Sequence, residues 1–206
     1  ALGDKNAVRE KAGRNPKVIS LSGALVLPGF VDAHTHMLAG ALQLIRIDLR
    51  AVKSREEFSK NIYAWVKDNP SLPWVLGQWS DTLLGGELPG RGWVDEVSQG
   101  KPLFLARFDM HSAVANTRAL EIAGIGKNTP DPSGGRIVRD PRTGEPTGLL
   151  LEKAMSLVAD KITPLTDAQR VQLLKNALHI AHRLGLTAVH DVFFQSKWED
   201  LNIYRK

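Results

Sequence analysis

The run Leu25-Val26-Leu27-Pro28-Gly29-Phe30-Val31-Asp32-Ala33-His34-Thr35-His36 constrains this chain more than any other stretch. An apolar segment is broken by a Pro-Gly pair and resumes as a strand that ends in two histidines one residue apart. Side chains on a strand alternate faces, so residues i and i+2 point the same way. The spacing sets the imidazoles of His34 and His36 side by side, as neighbouring ligands for one divalent metal. Asp32 lies two residues earlier on the same face, placed to steady such a site from behind the ligands.

The rest of the chain alternates strand and helix patterns. Val18-Ile19-Ser20-Leu21-Ser22 and Ala24 to Leu27 read as short strands around a Ser-Gly turn, with the polar residues before them at the edge of an accessory sheet. Ser54-Arg55-Glu56-Glu57 reads as a capping box, Ser54 as cap and Glu57 reaching back. Phe58, Ile62, Trp65 and Val66 follow at helical spacing. Trp74 to Trp79 and Pro102 to Phe108 read as strands, Ala113 to Ala123 as a helix ended by Gly124. Arg136 to Leu151 reads as a hairpin around Pro141-Arg142-Thr143-Gly144. Thr166-Asp167-Ala168-Gln169 is a second capping box, and the helix behind it turns Val171, Leu174, Leu178, Ala181 and Leu184 inward. Gly185 ends that helix and the strand Leu186 to Val192 follows, an αβ step of the barrel type.

The segment Pro28 to His36 resembles the strand-one signature of the amidohydrolase superfamily, metal-dependent hydrolases built on a (β/α)₈ barrel. Further segments are similar, in the same order, to the branch that includes N-substituted formamide deformylase. They are Trp74-Val75-Leu76-Gly77-Gln78-Trp79, Arg107-Phe108-Asp109-Met110-His111, Asn116-Thr117-Arg118-Ala119-Leu120, Pro146-Thr147-Gly148-Leu149-Leu150 and Gly185-Leu186-Thr187-Ala188-Val189-His190-Asp191. The resemblance implies an α/β fold: a partial barrel, part of a small N-terminal β-sandwich over residues 1–27, and an insertion after strand one at about 70–150. A complete barrel needs about 250 residues, and this chain has 206. The expectation is therefore an N-terminal portion of a larger enzyme.

Composition narrows the chemistry. With no cysteine there is no disulfide framework, no thiolate metal site and no thiol nucleophile. The net charge of +5 comes from Lys and Arg mixed with Asp and Glu along the chain, which argues for a solvated surface and against nucleic acid as a partner. No apolar run has the length of a membrane span. The compartment is left open, the cytoplasm being the default.

Several other side chains are candidates. Asp109 and His111 end an apolar strand and match a family segment that lies near the substrate pocket, so they are assigned to that pocket, with a structural hydrogen bond as the equal alternative for His111. Trp79 is assigned there too, against core packing as the more usual use of such a residue. Glu152 and Asp191 are accessory carboxylates that either approach the metal or serve a helix start or turn. His179 and His182 sit three apart on a helix, where an outward-facing role outweighs ligation because a barrel's outer helices lie far from its active face. The resemblance further implies a lysine, two histidines and a catalytic aspartate from later strands. No matching motif precedes Lys206, so the general base is expected beyond it and no catalytic residue is assigned within the chain.

The expected function is metal-dependent hydrolysis of a carbon–nitrogen bond of amide or formamide type in a small molecule. Zinc is the default metal for a histidine-rich hydrolytic site. The alternative is a truncated, catalytically silent form that acts as a binding or regulatory module. It would self-associate through the strand edges and apolar faces that an incomplete barrel exposes.

Overall fold

The computed structural model describes residues 3–192 and 198–206. In chain order the elements are α1 (Lys5–Lys11), β1 (Phe30–Thr35), α2 (Met37–Gln43), β2 (Ile47–Leu49), α3 (Arg55–Asp68), β3 (Val75–Trp79), α4 (Arg91–Val94), β4 (Leu103–Arg107), β5 (Ser112–Ala115), α5 (Thr117–Ala123), β6 (Gly135–Arg139), β7 (Pro146–Glu152), α6 (Ser156–Ala159), α7 (Asp167–Arg183), β8 (Leu186–Asp191) and α8 (Trp198–Arg205). A 3₁₀ turn, Lys153–Met155, joins β7 to α6. No helix among the described residues is long and apolar enough to cross a membrane.

β1 and β8 pair in parallel, Phe30 against Leu186, Asp32 against Val189 and Thr35 against Asp191. Their ends are therefore level, and both strands open on the same side. The approach is close at Gly29, just before β1, where a Cβ would fall 2.2 Å from the Thr187 side chain, so a larger residue would have to displace Thr187. α7 starts at the reciprocal Thr166–Gln169 box, Gln169 N–H donating to Thr166 Oγ1 at 3.3 Å and Thr166 N–H to Gln169 Oε1 at 2.9 Å. It packs on α2 and α8 through Leu174, Leu38 and Ile203, with Val171 and Leu178 half-buried beside them. Leu184, expected inward, is exposed. It lies at the helix end, where Gly185 (φ +83°) turns the chain away into β8.

The second sheet runs β2-β3-β4-β5-β7-β6, its first three strands parallel and the rest antiparallel. Both faces are covered, so neighbouring residues on one strand enter different cores. Leu103 and Leu105 join Phe58, Ile62 and Val66 of α3, whereas Phe104 joins Leu120 of α5 and Val158 of α6. The stretch expected as an insertion at about 70–150 forms one sheet with the earlier β2.

Four local expectations are corrected. Residues 113–115 are strand, not helix: Ser112 to Ala115 are all buried between β4 and β7, and Asn116 then caps α5. The strands expected over 18–22 and 24–27 are not formed. Their turn is present, Ala24 N–H donating to Leu21 O at 2.9 Å with positive φ at Ser22 and Gly23. The flanking residues Val18, Ile19, Leu25 and Val26 are exposed, and a hairpin without an apolar surface to rest on is marginal in water. The polar stretch before them, expected at a strand edge, is instead the exposed helix α1, capped by Asp4. Glu57 accepts from Lys53 N–H at 2.9 Å, one residue upstream of the Ser54 cap it was expected to reach.

Candidate active site

β1 closes at Thr35, and His36 occupies the cap position of α2. The change from strand to helix here places both imidazoles at the C-terminal end of β1, ring centroids 5.6 Å apart and edge to face. Both histidines are exposed. Asp32 Oδ1 accepts the His34 backbone N–H at 3.0 Å, so this carboxylate holds the main chain that carries the His34 imidazole. Asp191 ends β8 opposite Thr35. Its Oδ2 accepts from the Tyr204 hydroxyl and lies 3.5 Å from Leu38 N, tying α8 and the first turn of α2 to the strand end. Burial, and then the bond to Asp191, push the Tyr204 hydroxyl well above its ordinary pKa.

Two adjacent imidazoles suit a divalent metal and supply half of a four-donor set. Among the described residues, no group of three or more His, Asp or Glu side chains converges as a metal site. The donor pair fits a metal in chemistry, and the described residues leave its set incomplete.

A second constellation forms where β4 meets β5. Arg107 grips Asp81 through Nε and Nη2 at 2.8–3.0 Å and pairs through Nη1 with Asp109 at 3.1 Å. The other Asp109 oxygen accepts His111 N–H at 3.1 Å. His111 Nδ1 lies 3.0 Å from Glu152 Oε1, and Glu152 N–H donates to His111 O at 3.0 Å. Met110 (φ +66°) and Glu152 (φ +50°) both occupy the left-handed region, which costs a non-glycine residue about 1–3 kcal/mol. The exposed His111–Glu152 pair returns about 1 kcal/mol at most. The surrounding ladder holds this geometry, and strain held in this way concentrates at binding and catalytic sites.

The structure thus joins His111 to Glu152, two residues singled out separately, and pairs Asp109 with the same loop. Trp79 lies elsewhere: it is wholly buried, with Nε1 donating to Leu105 O at 3.1 Å, and it supports the sheet rather than facing solvent. Its position on an inward face of a central strand leaves no side-chain surface for a substrate. His179, His182 and His190 are exposed. Sequence reasoning missed Arg107 and Asp81, the pair that orders the loop. Arg107 opens the segment that drew attention to Asp109 and His111, so a signal was present there. Tyr204, far along the chain from β1, had none.

Comparison with known proteins agrees with this architecture. The amidohydrolase family profile matches residues 17–206. The chain is 39% identical over 187 residues to the protein LONG AFTER FAR-RED 3 of Arabidopsis thaliana, covering 89% of this chain and 32% of that protein. It is 33% identical to amidohydrolase YtcJ of Bacillus subtilis, over 98% of this chain and 37% of the relative. N-substituted formamide deformylase of Arthrobacter pascens is 32% identical, over 100% and 39% respectively. The crystal structure of a metal-dependent hydrolase from Pyrococcus horikoshii superposes with a TM-score of 0.61 at 28% identity, covering 90% of this chain and 34% of that one. The chain spans between about a third and two fifths of the length of these relatives. By the profile match over most of its length, the chain belongs to the amidohydrolase family.

Proposed function

We propose that this chain carries the first metal ligands and part of the substrate pocket of a hydrolase for carbon–nitrogen bonds of amide or formamide type. In this reading β1 and β8 are adjacent strands of a (β/α)₈ barrel, and the six-stranded sheet is inserted between them. The observation that carries it is the placement of His34 and His36 at the C-terminal end of a strand with a level parallel partner, in a member of the amidohydrolase family. Active sites of barrel enzymes sit at that end. A divalent metal held there, zinc in the first instance, would supply acidified water and polarise a carbonyl oxygen.

His34 and His36 would hold that ion through their ring nitrogens, on a main chain steadied by the Asp32 carboxylate. At the pocket, the Glu152 carboxylate accepts a hydrogen bond from His111 Nδ1, which holds the ring and leaves Nε2 for the amide group of the substrate. Arg107 and Asp109 keep that loop in place. The remaining ligands and the general base belong, in this proposal, to sequence corresponding to the rest of the longer relatives. The test is zinc retained after desalting by the protein extended to full family length, where the donor set is complete in this reading. Wild type is expected to retain zinc and His34→Ala/His36→Ala none; equal retention removes the assignment. Amide and N-formyl substrates offered to the protein extended to full family length then test the reaction class.

A second reading, a module that binds its own kind, has its own observation. Each of β1 and β8 has one edge unpaired among the described residues, and Phe30 and Val31 are exposed on β1. Such edges invite association. Sedimentation velocity across a concentration series is expected to show a dimer if this reading holds; a monomer throughout excludes it.

A further inference from the structure

A cavity of about 300 Å³ opens where the end of α2, the start of β3 and the segment leading into α7 meet. Its walls include Ile45, Trp74, Leu76 and Ile162, and two guanidinium groups reach it, Arg46 and Arg170. The two cations differ. Arg170 is neutralised by Asp200. Arg46 is half-buried and has no ion pair or side-chain hydrogen bond among the described residues; Asp48, two residues on, is engaged by Arg50. Burial alone lowers its pKa from the ordinary guanidinium value, with no carboxylate acting against it. A cation taken partly out of water without a counter-ion is unfavourable, and the planar guanidinium fork matches a carboxylate with two parallel bonds.

We propose that this cavity is a binding site for a small amphipathic carboxylate, its apolar body against Trp74, Leu76, Ile45 and Ile162 and its carboxylate on Arg46. The volume sets the size class. It stands at the lower end of ligand pockets, which run from about 300 to 1,000 Å³. A cavity of about 150 Å³ already admits benzene, so a phenyl ring with a short acid tail is the scale that fits. The apolar lining selects against sugars and phosphates, and one free guanidinium selects a monoanion. The site uses none of the residues assigned to metal or substrate, and it stands whether or not the hydrolase reading does.

The probe is 4-phenylbutyrate, compared with its neutral isostere 4-phenylbutanamide by isothermal titration calorimetry on the purified protein. Saturable one-to-one binding of the acid is expected, with the amide weaker by about tenfold or more, the scale of a hydrogen bond to a charged group. Arg46→Gln should bring the two ligands to within about twofold of each other while leaving amide affinity unchanged. His34→Ala/His36→Ala should leave both affinities at the wild-type value, which separates this site from the metal pair. Equal binding of acid and amide to the wild type, no saturable binding of the acid, or a preference that survives Arg46→Gln each overturns the proposal. The acid–amide comparison on the wild type needs no variant and stands even if Arg46→Gln fails to fold.

Discussion

Asn116 joins three parts of the six-stranded sheet through one buried amide, and replacing it with alanine should cost more than any other single polar truncation there. The side chain is 1% exposed. Oδ1 accepts Ala119 N–H and Leu103 N–H, each at 2.9 Å, and Nδ2 donates to Ser98 Oγ at 2.9 Å and Lys101 O at 2.8 Å. Losing the cap on α5 removes about 1 kcal/mol. Stranding the Leu103 N–H inside the sheet adds about 2 kcal/mol, because a buried donor without an acceptor loses its full desolvation energy. Ser98 keeps its bond to Asp95 O, and Lys101 is partly exposed, so water can satisfy its carbonyl. The loss for Asn116→Ala is about 3 kcal/mol, a large share of the roughly 5–15 kcal/mol that holds a domain folded. Urea unfolding followed by circular dichroism measures it, with an unchanged denaturant slope confirming that stability alone has moved. Asn116→Ser, which can keep the cap but not the reach to Leu103, should recover about 1 kcal/mol. A loss below about 1 kcal/mol for alanine would refute the reasoning, since it would mean the stranded donor finds another acceptor.

Gly148→Ala places a Cβ 2.5 Å from Ala115 O at a backbone φ of +96°, and thermal melting should show a loss of about 2 kcal/mol or more; a neutral result would mean that β5 and β7 can separate. Glu152→Gly relieves a positive φ and removes the His111 partner, so stability should rise by about 1 kcal/mol while, under the proposed function, substrate affinity should fall in the protein extended to full family length. Destabilisation by that variant would show that the carboxylate, not the site's geometry, is what the fold requires. The raised Tyr204 pKa makes folding pH-dependent on the alkaline side. Above pH about 10 the unfolded tyrosine releases its proton while the folded one keeps it, so stability should fall as pH rises through that value. Tyr204→Phe should flatten that limb of the stability–pH curve, and an identical limb in both proteins would remove the assignment.

The parts of the site that could be read in advance rest on neighbours in sequence. His34 and His36 share an end of β1 because a strand repeats every two residues, and the Thr166–Gln169 box is complete within four residues. Residues 113–115 misled for the opposite reason. An alanine-rich run favours helix locally, yet β4 and β7 flank it and turn it into a central strand, where burial outweighs propensity.

By itself the sequence determined the family, the strand that presents two imidazoles, and the starts and stops of the longer helices. Each of these follows from side-chain period or from capping bonds that span a few residues. The tertiary structure alone decided that His111 meets Glu152, 41 residues away, because their contact depends on β7 lying between β5 and β6 with Ser112 opposite Leu151. It also decided that Trp79 is core, that Asp191 serves α2 and Tyr204, and that Arg46 faces an apolar cavity without a counter-ion among the described residues. These are contacts between segments far apart in the chain, and sheet order and register, which no local pattern carries, bring them together.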